Sequence, residues 1–290
     1  MENNEISVNG SGVVVNGSDA VITKAGSYYL EGTLTDGSIE VAASDSSDVY
    51  VILDGAHITN QDGPALLLSS GNCRVTSRTG TKNELADAAA STLAAAVYAE
   101  VPVTFTGTGS LSIDGNYRYG IYAEKGVTVN EGTIKIESDQ DGISAESLNA
   151  NGGQITIVAG GDGVYTSKDL IVNGADLVAL SSTADSAGGI LADGDFVIKS
   201  GMVFATGADT DSPHGDNKLA YVKADVDAVD GDSISVNVKN TSVSLVKCEL
   251  DLLGTGKIED VLFSSADVSE GVYYDVKVAG VTKATVAAKK

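Results

Sequence analysis

Five short stretches in the middle of the chain read alike: Ala96-Val97-Tyr98-Ala99-Glu100, Gly120-Ile121-Tyr122-Ala123-Glu124, Gly142-Ile143-Ser144-Ala145-Glu146, Gly163-Val164-Tyr165-Thr166-Ser167 and Gly189-Ile190-Leu191-Ala192-Asp193. They begin at residues 96, 120, 142, 163 and 189, so successive starts lie 24, 22, 21 and 26 positions apart. A beat of about 22 residues, carried by β-branched side chains and punctuated by Gly, Asn and Asp, is the pattern of a β-solenoid. Each coil buries its apolar face only by stacking on the next.

Strand side chains alternate between faces. One set, Val97/Ala99, Ile121/Ala123, Ile143/Ala145, Val164/Thr166 and Ile190/Ala192, is large-then-small and suits a tightly filled interior. The other set, Tyr98/Glu100, Tyr122/Glu124, Ser144/Glu146, Tyr165/Ser167 and Leu191/Asp193, then lines the outside as an aromatic ladder beside an acidic one.

The composition agrees with an all-β chain of many tight turns: 34 Gly among 290 residues, only 3 Pro and no Trp. The formal charge of -22 repels nucleic acid and anionic lipid and attracts cations. Cys73 and Cys248 are too few and too far apart for a disulfide framework or a zinc site. No apolar run approaches the roughly 20 residues that span a membrane, and Met1-Glu2-Asn3-Asn4-Glu5 does not read as a signal peptide.

Before the repeats, short strands are expected at Ile6-Ser7-Val8, Val13-Val14-Val15, Ala20-Val21-Ile22, Ser27-Tyr28-Tyr29-Leu30, Ile39-Glu40-Val41 and Val49 to Leu53, forming less regular coils and a cap. Residues 84 to 96, rich in Ala, predict an excursion with a short helix on propensity alone. Gly132, Gly152, Gly174 and Gly201 mark corresponding corners. After Pro213 the beat is lost, and segments from Leu219 to Ala279 alternate like antiparallel strands. The expected organisation is a β-helix over residues 1–212, with its N-terminal cap, and a small C-terminal β-sheet unit over 213–290.

Several segments together resemble a family. Leu53 to Pro64, Gly107 to Tyr117, Asp141-Gly142-Ile143, the opening Ile22 to Leu34 and the tail around Ser264 to Val268 and Gly271 to Tyr274 are similar to bacterial carbohydrate-binding β-helix proteins distantly related to pectate lyases. The resemblance implies a right-handed parallel β-helix on a secreted or cell-surface protein that binds plant-type polysaccharide with bound calcium (Ca2+). The family's Asn-Asp-Gly-Ile type corner survives here as Gln140-Asp141-Gly142-Ile143 and Gly161-Asp162-Gly163-Val164. It is replaced by Arg118-Tyr119-Gly120-Ile121 before them and Ala187-Gly188-Gly189-Ile190 after, so any metal ladder is expected to be short.

Two sites are candidates. Asp139, Asp141 and Asp162 are the calcium candidates, because carboxylates one coil apart repel one another and calcium takes 6–8 oxygen ligands. Asp-Gly also makes turns for purely structural reasons. The polysaccharide candidates are Tyr98, Tyr122 and Tyr165 with Glu100, Glu124 and Glu146, flanked by Asp193. Rings offer apolar area to sugar C–H faces, and phenols and carboxylates bond hydroxyls. The competing reading is an ordinary solenoid exterior of mutually packed neighbours.

Catalysis has less support: His57 and His214 stand apart, and Lys125 and Lys168 are the nearest bases for a pectate-lyase-like reaction. The expectation is a non-catalytic, calcium-dependent polysaccharide binder, working as a monomer without nucleic acid or membrane span. A weak lyase and a structural or adhesive surface module are the alternatives.

Overall fold

A computed structural model describes residues 1, 4–44, 46–90, 92–182, 187–253 and 257–290. Among them every regular element is a β-strand, as the 22-residue beat predicts. The first face of the solenoid stacks eight strands in parallel: Asp19–Ile22, Ile39–Ala42, Leu66–Ser70, Ala95–Ala99, the start of Tyr119–Val129, the start of Ile143–Ala150, Val164–Thr166 and Ile190–Ala192. The second and third faces run from Gly26–Leu34 and Asp48–Asn60 to Phe196–Gly207.

The interior consists of columns, one side chain per coil. Ile58, Leu85, Ile113, Ile136, Ile157, Ala179 and Ala205 stack in register on the third face, and all are fully buried. Burying each large member is worth about 1.5–3 kcal/mol. On the first face Val97, Ile121, Ile143, Val164 and Ile190 form the matching column, with Ala99, Ala123, Ala145, Thr166 and Ala192 beside it. The Gly that opens the four later repeats (120, 142, 163 and 189) leaves room for close packing there. A Cβ on Gly142 would collide with the Ile157 side chain and approach the Gly163 carbonyl.

Corner carboxylates tie coil to coil. Asp19, Asp36, Asp87, Asp141, Asp162 and Asp169 each accept a backbone N–H from the coil that follows: those of Ser38, Gln61, Asn116, Asp162, Gly188 and Asp195, at 2.7 to 3.1 Å. Such charge-assisted bonds satisfy amides that a turn would otherwise leave open.

Two local expectations are corrected and a third is sharpened. The Ala-rich stretch 84–96 forms no helix in its described residues; Ser91 lies outside them. Lys82–Asp87 and Ala95–Ala99 are strands, with turns and bends between. Helix propensity loses because this coil must pair on both sides, with Asp48–Asn60 and Leu66–Ser70 below and Ser110–Gly115 and Tyr119–Val129 above. Ile6-Ser7-Val8 lies outside the strands. At the corner expected at Gly152 both kinds of glycine occur: a Cβ on Gly152 would collide with the Asn130 carbonyl, and Gly153 beside it has positive φ (83°), in line with Gly132 (107°), Gly174 (125°) and Gly201 (93°).

The C-terminal residues do two things. Lys257–Ser264 pairs antiparallel with the last solenoid strand, and Tyr221–Val229 pairs with it in turn, so both close the end of the stack. Ser233–Val238, Ser244–Glu249, Tyr273–Val278 and Val281–Ala287 form a separate four-stranded antiparallel sheet. Cys73 is buried, Cys248 is partly buried, and both are free thiols.

Candidate functional site

The outer column of the first face runs Val21, Glu40, Leu67, Tyr98, Tyr122, Ser144, Tyr165, Leu191, each residue one coil above the last. Tyr98 and Tyr122 stack with ring centroids 5.0 Å apart and planes 28° off parallel. Tyr119, the first residue of the same strand, stacks on Tyr122 at 5.5 Å. These rings therefore spend part of their faces on one another, worth about 0.5–1.5 kcal/mol per pair. What they offer outward is a ridge rather than separate flat plates. Tyr165 stands apart, beyond the small, buried Ser144.

The acidic column is interlocked with the aromatic one. The Tyr98 hydroxyl donates to Glu124 Oε1 at 3.4 Å, and the Tyr165 hydroxyl donates to Asp193 Oδ2 at 2.8 Å, each one coil onward. Desolvation, then the Glu124 charge, raises the Tyr98 phenol above its ordinary pKa. For Tyr165 the bond to Asp193 is the main cause. Both phenols stay protonated donors. Glu100 and Glu124 are exposed, whereas Glu146 binds Lys168 Nζ at 2.6 Å, which lowers its pKa.

Asp141 and Asp162 meet as stacked neighbours at one corner. Asp141 Oδ1 accepts the Asp162 N–H at 3.0 Å, and Asp162 Oδ1 accepts the Gly188 N–H at 2.7 Å. Burial pushes Asp162 up to about 6, with the Asp141 and Asp211 charges adding to the rise. Burial also raises Asp141. Asp139 is exposed on the same corner, and among the described residues its carboxylate shares no hydrogen bond with either. Among the described residues no three Asp, Glu, His or Cys side chains converge into a cation cage. The pair is a two-carboxylate half-site whose mutual repulsion a cation would relieve.

Lys168 is exposed, and its bond to Glu146 raises its pKa, the opposite of what a proton-abstracting base needs. Lys125 is exposed one residue beyond the acidic column. His57 points outward to Glu84, with Nδ1 3.3 Å from Oε2. His214 places its two ring nitrogens 3.0 and 2.7 Å from the Ser212 and Gly194 carbonyls, and these bonds raise its pKa.

Two features escaped the sequence reading. Ile39-Glu40-Val41 and Leu66-Leu67-Leu68 occupy the same column as the tyrosines, but without the Gly-Ile-Tyr-Ala-Glu wording the equivalence is hidden. Beside them opens a cleft of about 300 Å³ lined in part by Leu67 and Pro64. Asp87 is the other: it is 1% exposed and spends Oδ1 on the Asn116 N–H. Its Oδ2 is buried without a hydrogen-bond partner among the described residues, and desolvation pushes its carboxyl up to about 6.

Comparison with known proteins fits this geometry. A curated carbohydrate-binding domain-containing protein of Acetivibrio thermocellus is 28% identical over 139 residues, which are 45% of this chain and 49% of that protein. The chain thus matches about half the length of that relative. The structure of the polysaccharide lyase-like protein from C. thermocellum, in a gadolinium derivative, matches with a TM-score of 0.55 at 24% identity. That match covers 69% of this chain and 88% of the other, and it carries the fold alone. The family model for carbohydrate-binding domain-containing proteins matches residues 16–173, which is more than half of the chain. They run from the first strands through the tyrosine column and the Asp141/Asp162 corner. This β-solenoid belongs to the carbohydrate-binding domain-containing protein family.

Proposed function

We propose that the chain binds polysaccharide along the outer column of its first face, without cleaving it. The observation that carries this reading is the in-register row Leu67, Tyr98, Tyr122, Ser144, Tyr165, with Glu100, Glu124 and Glu146 on the next outward position of its three middle coils. The row advances about 4.8 Å per coil, close to the advance of one sugar unit along an extended glycan. The ridge of Tyr98, Tyr119 and Tyr122 supplies apolar area for C–H faces. Glu100, Glu124 and Asp193 supply hydroxyl acceptors.

An acidic polysaccharide such as polygalacturonate would be repelled by this surface unless a cation stood between. Calcium is the fitting ion, and Asp141 with Asp162 would hold it, the remaining oxygen ligands coming from uronate carboxylates and water. Its role there is to bridge and neutralise. The expected place of work is outside the cell or on its surface, where such polymers are met.

Affinity electrophoresis on polysaccharide gels tests this. Retardation is expected for the native chain, with Tyr122→Ser weakening it at least tenfold. On polygalacturonate, EDTA is expected to abolish retardation, and Asp162→Asn to raise the calcium needed. If no gel retards the native chain, the face is a structural or adhesive surface instead. Ultraviolet-absorbing unsaturated product from calcium and substrate would establish a lyase.

A further inference from the structure

The cleft of about 300 Å³ lies at the lower end of the tyrosine row. Leu67 lines it, directly below Tyr98 in register, with Glu40 directly below Leu67. The lining is therefore continuous with the aromatic ridge. Asp19, Asp36, Glu40 and Asp62 also line it.

Three of these side chains are held in place. Asp19 Oδ1 takes the Ser38 N–H at 2.9 Å and its hydroxyl at 2.8 Å. Asp36 Oδ1 takes the Gln61 N–H at 3.1 Å, and Glu40 Oε1 takes the Ser69 hydroxyl at 2.7 Å. Asp19, Asp36 and Glu40 are thus each fixed through one oxygen, leaving the second oxygen to accept from a ligand.

One side of the cleft is made by a loop that the solenoid does not need for stacking. From third face to first face the chain passes in four residues between Ser138 and Ile143, but takes seven between Asp87 and Ala95. Within this longer crossing Thr92 donates both N–H and hydroxyl to the Asp62 carbonyl, at 2.8 and 2.7 Å, pinning the loop over the cleft. The recess is lined mainly by polar groups, with Pro64, Leu67 and Leu93 as its apolar members, and it lies in line with an extended row; that make-up suits a small polar ligand.

The chemistry of the lining selects the occupant. The Leu67 side chain suits the C–H face of a pyranose, and carboxylate oxygens accept its hydroxyls. Among the described residues no basic side chain lines the cleft. An anion there would be repelled by the carboxylates around it. We propose that the cleft is a subsite for a neutral sugar unit at one end of the bound polysaccharide, and that it needs no metal. This rests on the reading of the outer column as a polysaccharide-binding face. It gives the face two ends: a neutral-sugar end at Leu67 and a corner at Asp141/Asp162 that accepts acidic units only with calcium.

Titration calorimetry in EDTA tests it, with neutral hexasaccharides of glucan, xylan and mannan type and, separately, with hexagalacturonate with and without calcium. At least one neutral hexasaccharide is expected to bind the native chain in EDTA. Leu67→Ser should weaken it about tenfold and Glu40→Gln several-fold, with melting temperatures within a few degrees of native. A neutral hexasaccharide whose affinity drops with Tyr122→Ser but is untouched by both cleft variants overturns the subsite and leaves the binding face standing. Binding confined to hexagalacturonate with calcium also overturns it. If no oligosaccharide binds under any condition, the face and the subsite fall together.

Discussion

The solenoid and the four-stranded sheet after it are both antiparallel or parallel β-structure of similar composition, yet they store stability differently. In the solenoid each large inward side chain is covered above and below by its counterparts, and Ile113, Ile136 and Ile157 are completely enclosed. In the sheet the edge strand Ser244–Glu249 is half exposed, and Val281 and Tyr273 stand largely in solvent. The lesson is that a stack makes its middle the strongest part, whereas a single sheet with one covered face has two weak edges. The outer column can therefore carry polar and aromatic residues without loss of the core, because the inner columns hold the coil.

The largest expected effect sharpens this contrast. Ile136→Ala should cost about 2–5 kcal/mol, since neighbouring coils cannot collapse into the cavity. Val246→Ala, at a partly buried position of the sheet, should cost under about 1 kcal/mol. Denaturant melts of the two variants check this, and equal losses would break the comparison.

Next comes binding. Tyr122→Ser should weaken polysaccharide binding at least tenfold, about 1.4 kcal/mol. Tyr273→Ser, an exposed aromatic on the sheet, should leave it unchanged.

Acidity separates the two regions by sign. Asp87 and Asp162 in the solenoid sit at about 6, above their ordinary value, because burial disfavours the carboxylate. A raised folded-state pKa means that folding takes up a proton. Their contribution is fullest below about pH 4 and is lost as pH rises through about 6. Asp275 in the sheet is lowered, chiefly by the Thr285 hydroxyl and then the Asn240 N–H. Its contribution is present above about pH 4 and is lost on acidification below that. Hydrogen exchange should show solenoid amides better protected at pH 5 than at pH 7.5 after correction for intrinsic rates, and sheet amides not. Asp87→Asn should flatten the solenoid's dependence. The smallest effect is Lys168→Gln: removing an exposed ion pair with Glu146 should change stability by less than about 1 kcal/mol.

Much of this molecule is visible in its sequence because the repeat is translational. Once Ile121, Ile143, Val164 and Ile190 are taken as equivalent, the inner columns, the outer row and the pairing register follow. The site's rows were legible for the same reason. What the repeat does not encode was missed. The helix expected near residue 90 came from local propensity, which carries no information about the partners waiting on both sides. The last hairpin turns at Ala279-Gly280, with both φ values positive (46° and 79°), and Ala gives little warning of that conformation. The mutual stacking of Tyr98, Tyr119 and Tyr122 depends on side-chain directions that spacing alone leaves open.

The corner carboxylates have an order that bears on biosynthesis. In all six cases the acceptor precedes the amide it serves, from Asp19 before Ser38 to Asp169 before Asp195. A ribosome delivers the chain in that same direction. Several finished coils thus emerge already carrying an anchor for their successors, while Asp211, which accepts the Ala192 N–H at 2.8 Å, reaches back from the end of the stack to the coil before it.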